Sequence, residues 1–302
     1  MFKNVPFNET FTKVEKMTTG WSKDTKYHIY TNHNIEYILR TSDISLYEKK
    51  KQQFEYLKEL EKLNLPIPKP ISFGILNDQE IYILLTYIDG SPAEDYVKTL
   101  SQEEAYKLGY EAGEVLRKIH SINLTKPLIT WEEAYLSKIE RKIKFVKESP
   151  IEYKEKDFLI KYINNHLHLV KNRPYTFCHG DYHLGNMVVN AGKIYIIDFD
   201  KSGPADPYDE FKPFIWNTRI NIYFENGLID GYFNNNVPSA FFKVLALYIA
   251  ESQISHLPWA LTFGEKEVEI GFENLNIILN DYDNFDLIIP KWYKGETNDN
   301  ID

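Results

Sequence analysis

The hydrophobic rhythm of the chain changes twice. In roughly the first ninety residues, apolar, β-branched and aromatic side chains come in short runs. Residues 26–31 and 35–40 flank Asn32-His33-Asn34, a combination that predicts a hairpin. Between about 44 and 63 the period lengthens: Leu46, Phe54, Leu57, Leu60 and Leu63 fall close to one helical stripe among Lys and Glu, and Pro66, Pro68 and Pro70 end it. Residues 71–76 and 81–88 resume as strands around the turn signal Asn77-Asp78-Gln79.

After Asp89-Gly90 the pattern is helical near 101–121, 131–148 and 153–171, and again from about 207 to 281. One interruption stands out. The apolar runs 187–189 and 194–197 flank Asn190-Ala191-Gly192 and predict a small hairpin inside a helical region. The expected fold is therefore α+β, with a strand-rich part over 1–88 and a mostly helical part over 89–302. No solenoid repeat or low-complexity tract interrupts it, and the polar tail from about 294 is expected to fray.

Composition narrows the function classes. With 43% hydrophobic and 26% charged residues the chain reads as a soluble globular protein. A net charge of −9 argues against a broad nucleic-acid surface and favours cationic or neutral partners. The basic run Lys138, Arg141, Lys142, Lys144 and Lys147 is accordingly read as a solvated helix face. A single cysteine, Cys178, excludes an intrachain disulfide framework. The start MFKNVPFNET lacks a signal-peptide pattern, and no stretch approaches the roughly 20 apolar residues of a membrane span, so a cytoplasmic protein without a membrane partner is expected.

The densest chemical signal is Cys178-His179-Gly180-Asp181-Tyr182-His183-Leu184-Gly185-Asn186, followed by Ile196-Ile197-Asp198-Phe199-Asp200. Phosphoryl transfer needs a carboxylate to orient the attacking hydroxyl and oxygen ligands for Mg2+. Asp181 suits the first task. Asn186 and Asp198 suit the second, because the short hairpin between them folds both toward one cleft. The spacing Asp-x4-Asn, with a further Asp after an apolar strand about a dozen residues on, matches the catalytic loop and second metal-ligand position of kinases. His120 is read as a core or capping residue, and His183 has no partner at a metal-binding spacing, so no zinc site is expected.

On these motifs the chain resembles the aminoglycoside phosphotransferase and choline kinase superfamily, over nearly its whole length. The resemblance implies a bilobal protein-kinase-like fold, with a nucleotide-binding lobe at 1–88 and a catalytic and acceptor-binding lobe at 89–302. It implies that Asp181 is the catalytic base, that Asn186 and Asp198 bind Mg2+, that His179 helps hold the loop, and that ATP or GTP is the co-substrate. Gly180 stands where protein kinases carry an Arg, and Asp198-Phe199-Asp200 replaces Asp-Phe-Gly with no Ala-Pro-Glu downstream. Both departures point to a small acceptor.

Thr18-Thr19-Gly20-Trp21-Ser22-Lys23-Asp24 occupies the place of the phosphate loop, where Ser22 or backbone amides would contact phosphate. Arg40 ends the third strand, in the place of the phosphate-holding Lys. Glu55 is the preferred partner to orient Arg40, with Glu48 and Glu59 as alternatives. By resemblance, backbone groups of Thr86 and Ile88 would hydrogen-bond the purine.

Asp206, Asp209 and Glu210 follow Asp198 by 8 to 12 residues, at the start of a helix expected near Pro207. They are read as a subsite for a polycationic amino sugar, with Glu251 as a fourth contributor; complementing a helix dipole is the alternative. Trp216, Tyr223 and Trp259 keep a quaternary ammonium acceptor such as choline open. Macrolide, sugar and homoserine acceptors are further alternatives. The expected partners are thus a nucleoside triphosphate and a small hydroxyl-bearing acceptor.

Overall fold

An antiparallel meander begins the fold. Strands β1 (Phe11–Met17), β2 (Thr25–Thr31) and β3 (Glu36–Asp43) lie side by side, and Asn34 closes the β2–β3 turn at φ 58, a left-handed conformation that Asn tolerates. Helix α1 (Tyr47–Glu61) follows, preceded by a 3-10 turn where the sequence pattern had already suggested helix. Strands β4 (Pro70–Ile75) and β5 (Glu80–Thr86) then complete the order β1-β2-β3-β5-β4. Strand alternation gives this sheet two unlike faces. Ile29, Tyr37, Leu39, Tyr82 and Leu84 gather in a buried cluster on one, while Lys26 and Arg40, direct cross-strand partners, project from the other.

Beyond the short strand β6 (Ser91–Pro92) come α2 (Ala93–Lys98), α3 (Gln102–Ile119), α4 (Trp131–Glu148) and α5 (Lys156–His166). Ser101 with Glu104, and Thr130 with Glu133, close reciprocal capping boxes that fix where α3 and α4 begin. Strand β7 (Thr176–Cys178) leads to the hairpin of β8 (Met187–Asn190) and β9 (Lys193–Ile196), which turns through Ala191 at φ 49 and Gly192 at φ 77, the signs a two-residue hairpin loop requires. β8 also pairs with β6, and β10 (Gly203–Ala205) pairs with β7. The long helical stretch expected over 207–281 divides into α6 (Phe214–Thr218), α7 (Ile222–Phe233), α8 (Ser239–Ala260) and α9 (Glu265–Asp281). The short strand β11 (Val237–Pro238) separates α7 from α8 and pairs with β12 (Thr297–Asn298).

The computed structural model describes residues 2, 5, 10–18, 24–124 and 127–298, and the chain divides into two compact units. The first comprises Met1–Ala93 with Asn186–Ser202, and the second Glu94–Gly185 with Gly203–Asp302. The β8–β9 hairpin thus belongs with the N-terminal sheet, although the sequence division at 88/89 assigned it to the other part. In the second unit, α3 and α7 cross through glycines. A Cβ on Gly109, Gly113, Gly227 or Gly231 would lie 2.0–2.1 Å from a carbonyl oxygen of the facing helix, so only glycine permits this approach. α8 is buried almost all round, with Phe241, Phe242, Leu245, Tyr248 and Ile249 fully buried, as befits a central helix. No helix among the described residues is long and apolar enough to cross a membrane.

Candidate active site

In the first unit, the β8–β9 hairpin fixes two of the expected metal ligands. Met187 pairs with Ile196, and the Ile197 N–H donates to the Asn186 carbonyl at 2.9 Å, so Asn186 and Asp198 flank the open end of the same hairpin. Asp198 adopts φ 63, ψ 60, a left-handed conformation uncommon outside glycine and one that marks backbone strain at a sharp change of direction.

The carboxylate of Asp198 accepts from Lys26 Nζ at 2.7 Å and from Arg40 Nη1 at 2.6 Å. Burial alone would push this carboxyl upward, but the two facing cations outweigh it and hold the pKa at about 2. Arg40, 6% exposed, also reaches Asp24 at 3.2 Å and Asp200 at 3.2 Å. Burial opposes its charge, and the surrounding carboxylates nonetheless raise its pKa. Asp24 in turn accepts from Ser42 Oγ at 2.8 Å and Lys50 Nζ at 2.7 Å, and Lys50 also pairs with Asp200. Three cations and three carboxylates therefore interlock on the face of the sheet that carries Lys26 and Arg40.

The partner expected for Arg40 requires correction. Glu55 is 57% exposed and pairs with Lys58, Glu59 pairs with Lys62, and Glu48 is exposed. Helix α1 buries Lys50, Gln53, Phe54, Leu57 and Leu60, a stripe that excludes all three glutamates. Asp24 supplies the carboxylate instead. Lys26, Asp24 and Lys50 were missed from sequence, although two signals existed: Lys26 stands opposite Arg40 in the hairpin, and Lys50 lies on the apolar stripe of α1. Ser22 lies outside the described residues. The Thr86 N–H is taken by the Lys69 carbonyl at 3.0 Å, whereas the Ile88 backbone makes no hydrogen bond among the described residues.

In the second unit, the loop after β7 is tethered at both ends. Glu210 accepts from the backbone N–H of His179 at 2.6 Å and of Gly180 at 2.7 Å, one per carboxylate oxygen. Gly180 takes φ 85, which its missing Cβ allows, and the Asp181 N–H donates back to His179 Nδ1 at 3.3 Å. Further on, the Leu184 N–H donates to Asn217 Oδ1 at 2.8 Å, and Asn217 Nδ2 donates to Glu225 at 2.7 Å. Burial pushes the Glu225 carboxyl up to about 8 despite that bond. Between the tethers, the Asp181 side chain remains 28% exposed, with His183 Nε2 at 3.7 Å. His120 is buried between Tyr232 and Glu210, as the core reading expects.

The four carboxylates read as an amino-sugar subsite are all buried and internally paired. Asp206 forms a bidentate pair with Arg173 at 2.5 and 2.8 Å and accepts from Tyr248 Oη at 2.8 Å. Asp209 pairs with Lys212 at 2.5 Å, Glu210 holds the loop, and Glu251 pairs with Lys138 at 2.9 Å and with Lys142. A buried carboxylate is tolerable only when a charge or donor within the protein compensates it, which sequence charge counting does not reveal. The helix expected at Pro207 is a short 3-10 turn at Asp209–Phe211. The three aromatic residues considered for a quaternary ammonium sit on three different helices, and Trp259 contacts the rings of His256 and Phe263.

Residues 13–236 match the profile of the phosphotransferase enzyme family. The fold is shared with an apo thermostable mutant of aminoglycoside phosphotransferase APH(4)-Ia, at TM-score 0.66 and 16% identity over 89% of this chain and 94% of that one. A choline/ethanolamine kinase family protein from Mesorhizobium loti aligns at TM-score 0.70 and 15% identity over 95% of each chain. Amicoumacin kinase hAmiN, in complex with AMP-PNP, Ca2+ and Ami, aligns at TM-score 0.64 and 14% identity, covering 96% of this chain and 91% of that one. The architecture is thus the protein-kinase-like α+β fold of these neighbours.

Proposed function

The chain belongs to the phosphotransferase enzyme family, and from that premise we propose that it moves the γ-phosphate of ATP or GTP, with Mg2+, to a hydroxyl group of a small molecule. The class, a small-molecule kinase, follows from the family; the donor, metal and acceptor are our reading. The observation that carries it is the doubly tethered loop, in which Glu210 and Asn217 hold the backbone on either side of a partly exposed Asp181.

Asp181 would accept a hydrogen bond from the acceptor hydroxyl, aim its oxygen lone pair at the γ-phosphorus, and take its proton as the new P–O bond forms and the bond to the nucleoside diphosphate breaks. Asn186 and Asp198 offer the hard oxygen donors that Mg2+ prefers, and a bound ion would neutralise charge on the β- and γ-phosphates. Lys26 and Arg40, which grip Asp198, are the cations available to the phosphate oxygens.

For the acceptor, similarity to aminoglycoside phosphotransferase structures keeps amino sugars in the test panel, but the internally paired Asp206, Asp209, Glu210 and Glu251 lend that class no support. The test is acceptor-dependent release of ADP or GDP across aminoglycosides, choline, ethanolamine, macrolides, sugars and hydroxy acids. Asp181→Asn should nearly abolish transfer while leaving nucleotide affinity within a few-fold. Equal loss of nucleotide binding, or full activity in that variant, would remove Asp181 from its role.

A further inference from the structure

Helix α1 turns two hydrogen-bond donors inward where an acid was expected. Lys50 and Gln53, three residues apart, share one face of the helix, and both are buried, at 4% and 5% exposed. Gln53 Nε2 donates to the Asp200 carbonyl at 2.8 Å and to the Ser202 carbonyl at 3.2 Å. Lys50 Nζ pairs with the Asp200 carboxylate, and with Asp24 at 2.7 Å. Three of these four contacts end on the segment that directly follows Asp198.

That segment has to be held. Asp198 takes φ 63 and ψ 60, a left-handed conformation that a residue other than glycine keeps only where its surroundings over-determine it. On its N-terminal side the chain is fixed by the Ile197 N–H on the Asn186 carbonyl and the Ile196 N–H on the Pro66 carbonyl, both at 2.9 Å. On its C-terminal side the Ser202 N–H donates to the Phe199 carbonyl at 3.1 Å, a local bond that travels with the segment and anchors it to nothing else. Lys50 and Gln53 tie it to α1, and helix, hairpin and segment all belong to the first unit. Gln53 is uncharged and spends its NH2 group on two carbonyls, so replacing it leaves every charge around Arg40 in place.

We propose that Lys50 and Gln53 are positioning residues for the metal: α1 holds the segment after Asp198 and so keeps the Asp198 carboxylate where it can meet Mg2+. The expected helix glutamate would have aimed Arg40 at the phosphates; the donors found in its place act on the metal ligand. This rests on the small-molecule kinase reading. Loss of either donor should weaken the part of nucleotide affinity that the metal supplies and spare the part that Lys26 and Arg40 supply.

The first arm of the test measures AMP-PNP binding to the full chain by calorimetry, with Mg2+ and with EDTA. The ratio of the two dissociation constants reports the coupling between metal and nucleotide. In Gln53→Leu this ratio should fall at least about fivefold while the affinity in EDTA stays within about twofold of wild type. Lys50→Met should lower it further, and Lys50→Arg, which keeps the charge, should lie between Lys50→Met and wild type. Lys49→Met removes an exposed charge from the same helix and should match wild type. A wild-type ratio in Gln53→Leu, even with a lowered urea midpoint, would reduce the contacts to stability and overturn the proposal. Equal weakening with and without Mg2+ would also overturn it, because the effect would then run through the phosphate-binding cations.

The second arm needs neither metal nor nucleotide. Hydrogen exchange of the full chain should be faster at the amides of 198–202 in Gln53→Leu and unchanged in β2 and β3, whereas wild-type exchange at 198–202 would overturn the proposal. A wild-type chain without metal-dependent nucleotide binding would instead refute the proposed function, and faster exchange at 198–202 would still show that α1 holds the segment.

Discussion

Replacing Glu210 by Gln separates two roles for this residue, loop tether or acceptor ligand. Its two oxygens receive the His179 and Gly180 amides at 2.6 and 2.7 Å in a fully enclosed setting, with His120 Nε2 at 3.4 Å. Gln keeps one acceptor oxygen, but its NH2 group would face the second backbone N–H, donor against donor. One charge-assisted hydrogen bond, worth about 1.5–3 kcal/mol, is lost, and a buried N–H is left unsatisfied at a further cost of about 1–3 kcal/mol. Relaxation of the loop recovers part of this, so a stability loss of about 3 kcal/mol is expected. The relaxation itself moves Asp181, and a displacement of about 1 Å can lower turnover roughly 100-fold.

Nucleotide KM should stay within about threefold of wild type, because Lys26, Arg40 and Asp198 belong to the other unit. The assays are steady-state nucleoside diphosphate release with the acceptor that the panel yields, and urea unfolding of the same variant. A tether predicts lower kcat and lower stability with acceptor KM little changed. A raised acceptor KM at wild-type kcat and stability would refute the tether and restore Glu210 as an acceptor ligand.

Three further outcomes follow from the charge networks. Asp24→Asn removes the carboxylate facing Arg40 and Lys50 and should raise nucleotide KM about tenfold while lowering stability by about 3 kcal/mol; Glu55→Gln should match wild type, and the reverse ranking would reinstate Glu55. Asp198→Asn should lose Mg2+-dependent nucleotide binding, yet bind Mg2+-free ATP more tightly than wild type because Lys26 and Arg40 are released; equal Mg2+-free affinities by calorimetry would contradict this. Glu225, protonated in the fold up to about pH 8 but only to about 4.5 when unfolded, makes stability fall as pH rises through that window, by up to about 5 kcal/mol. Glu225→Gln should flatten the dependence of the urea midpoint between pH 5.5 and 8.5, and parallel profiles would show that Glu225 is not its source.

The elements were legible where a local signal marks them. Pro66, Pro68 and Pro70 announce that the α1 helix has ended, and Asn190-Ala191-Gly192 announces the hairpin that carries Asn186 and Asp198. The motif residues His179, Asp181, Asn186 and Asp198 were singled out because phosphoryl transfer constrains their spacing. Partnership among charges was not legible. The apolar stripe of α1 already turns Glu55 away from the sheet, but that Asp24 takes its place depends on pairing across β2 and β3, which no local signal specifies. The breaks in the 207–281 helical region were equally hidden, since α7 and α8 are apolar enough to be buried almost all round and lose the periodic contrast that marks an amphipathic helix.

The balance of charge around Arg40 bears on its chemistry. Around Arg40 the count is even: Lys26, Arg40 and Lys50 against Asp24, Asp198 and Asp200. A triphosphate arriving alone would have to pull Lys26 and Arg40 away from Asp198 and strand that carboxylate in a buried setting. A divalent cation arriving with it gives Asp198 a new counter-charge as the phosphates take the old ones, so neutrality is kept through the exchange. On the proposed reading, a metal that accompanies the nucleotide would therefore keep an already balanced cluster neutral.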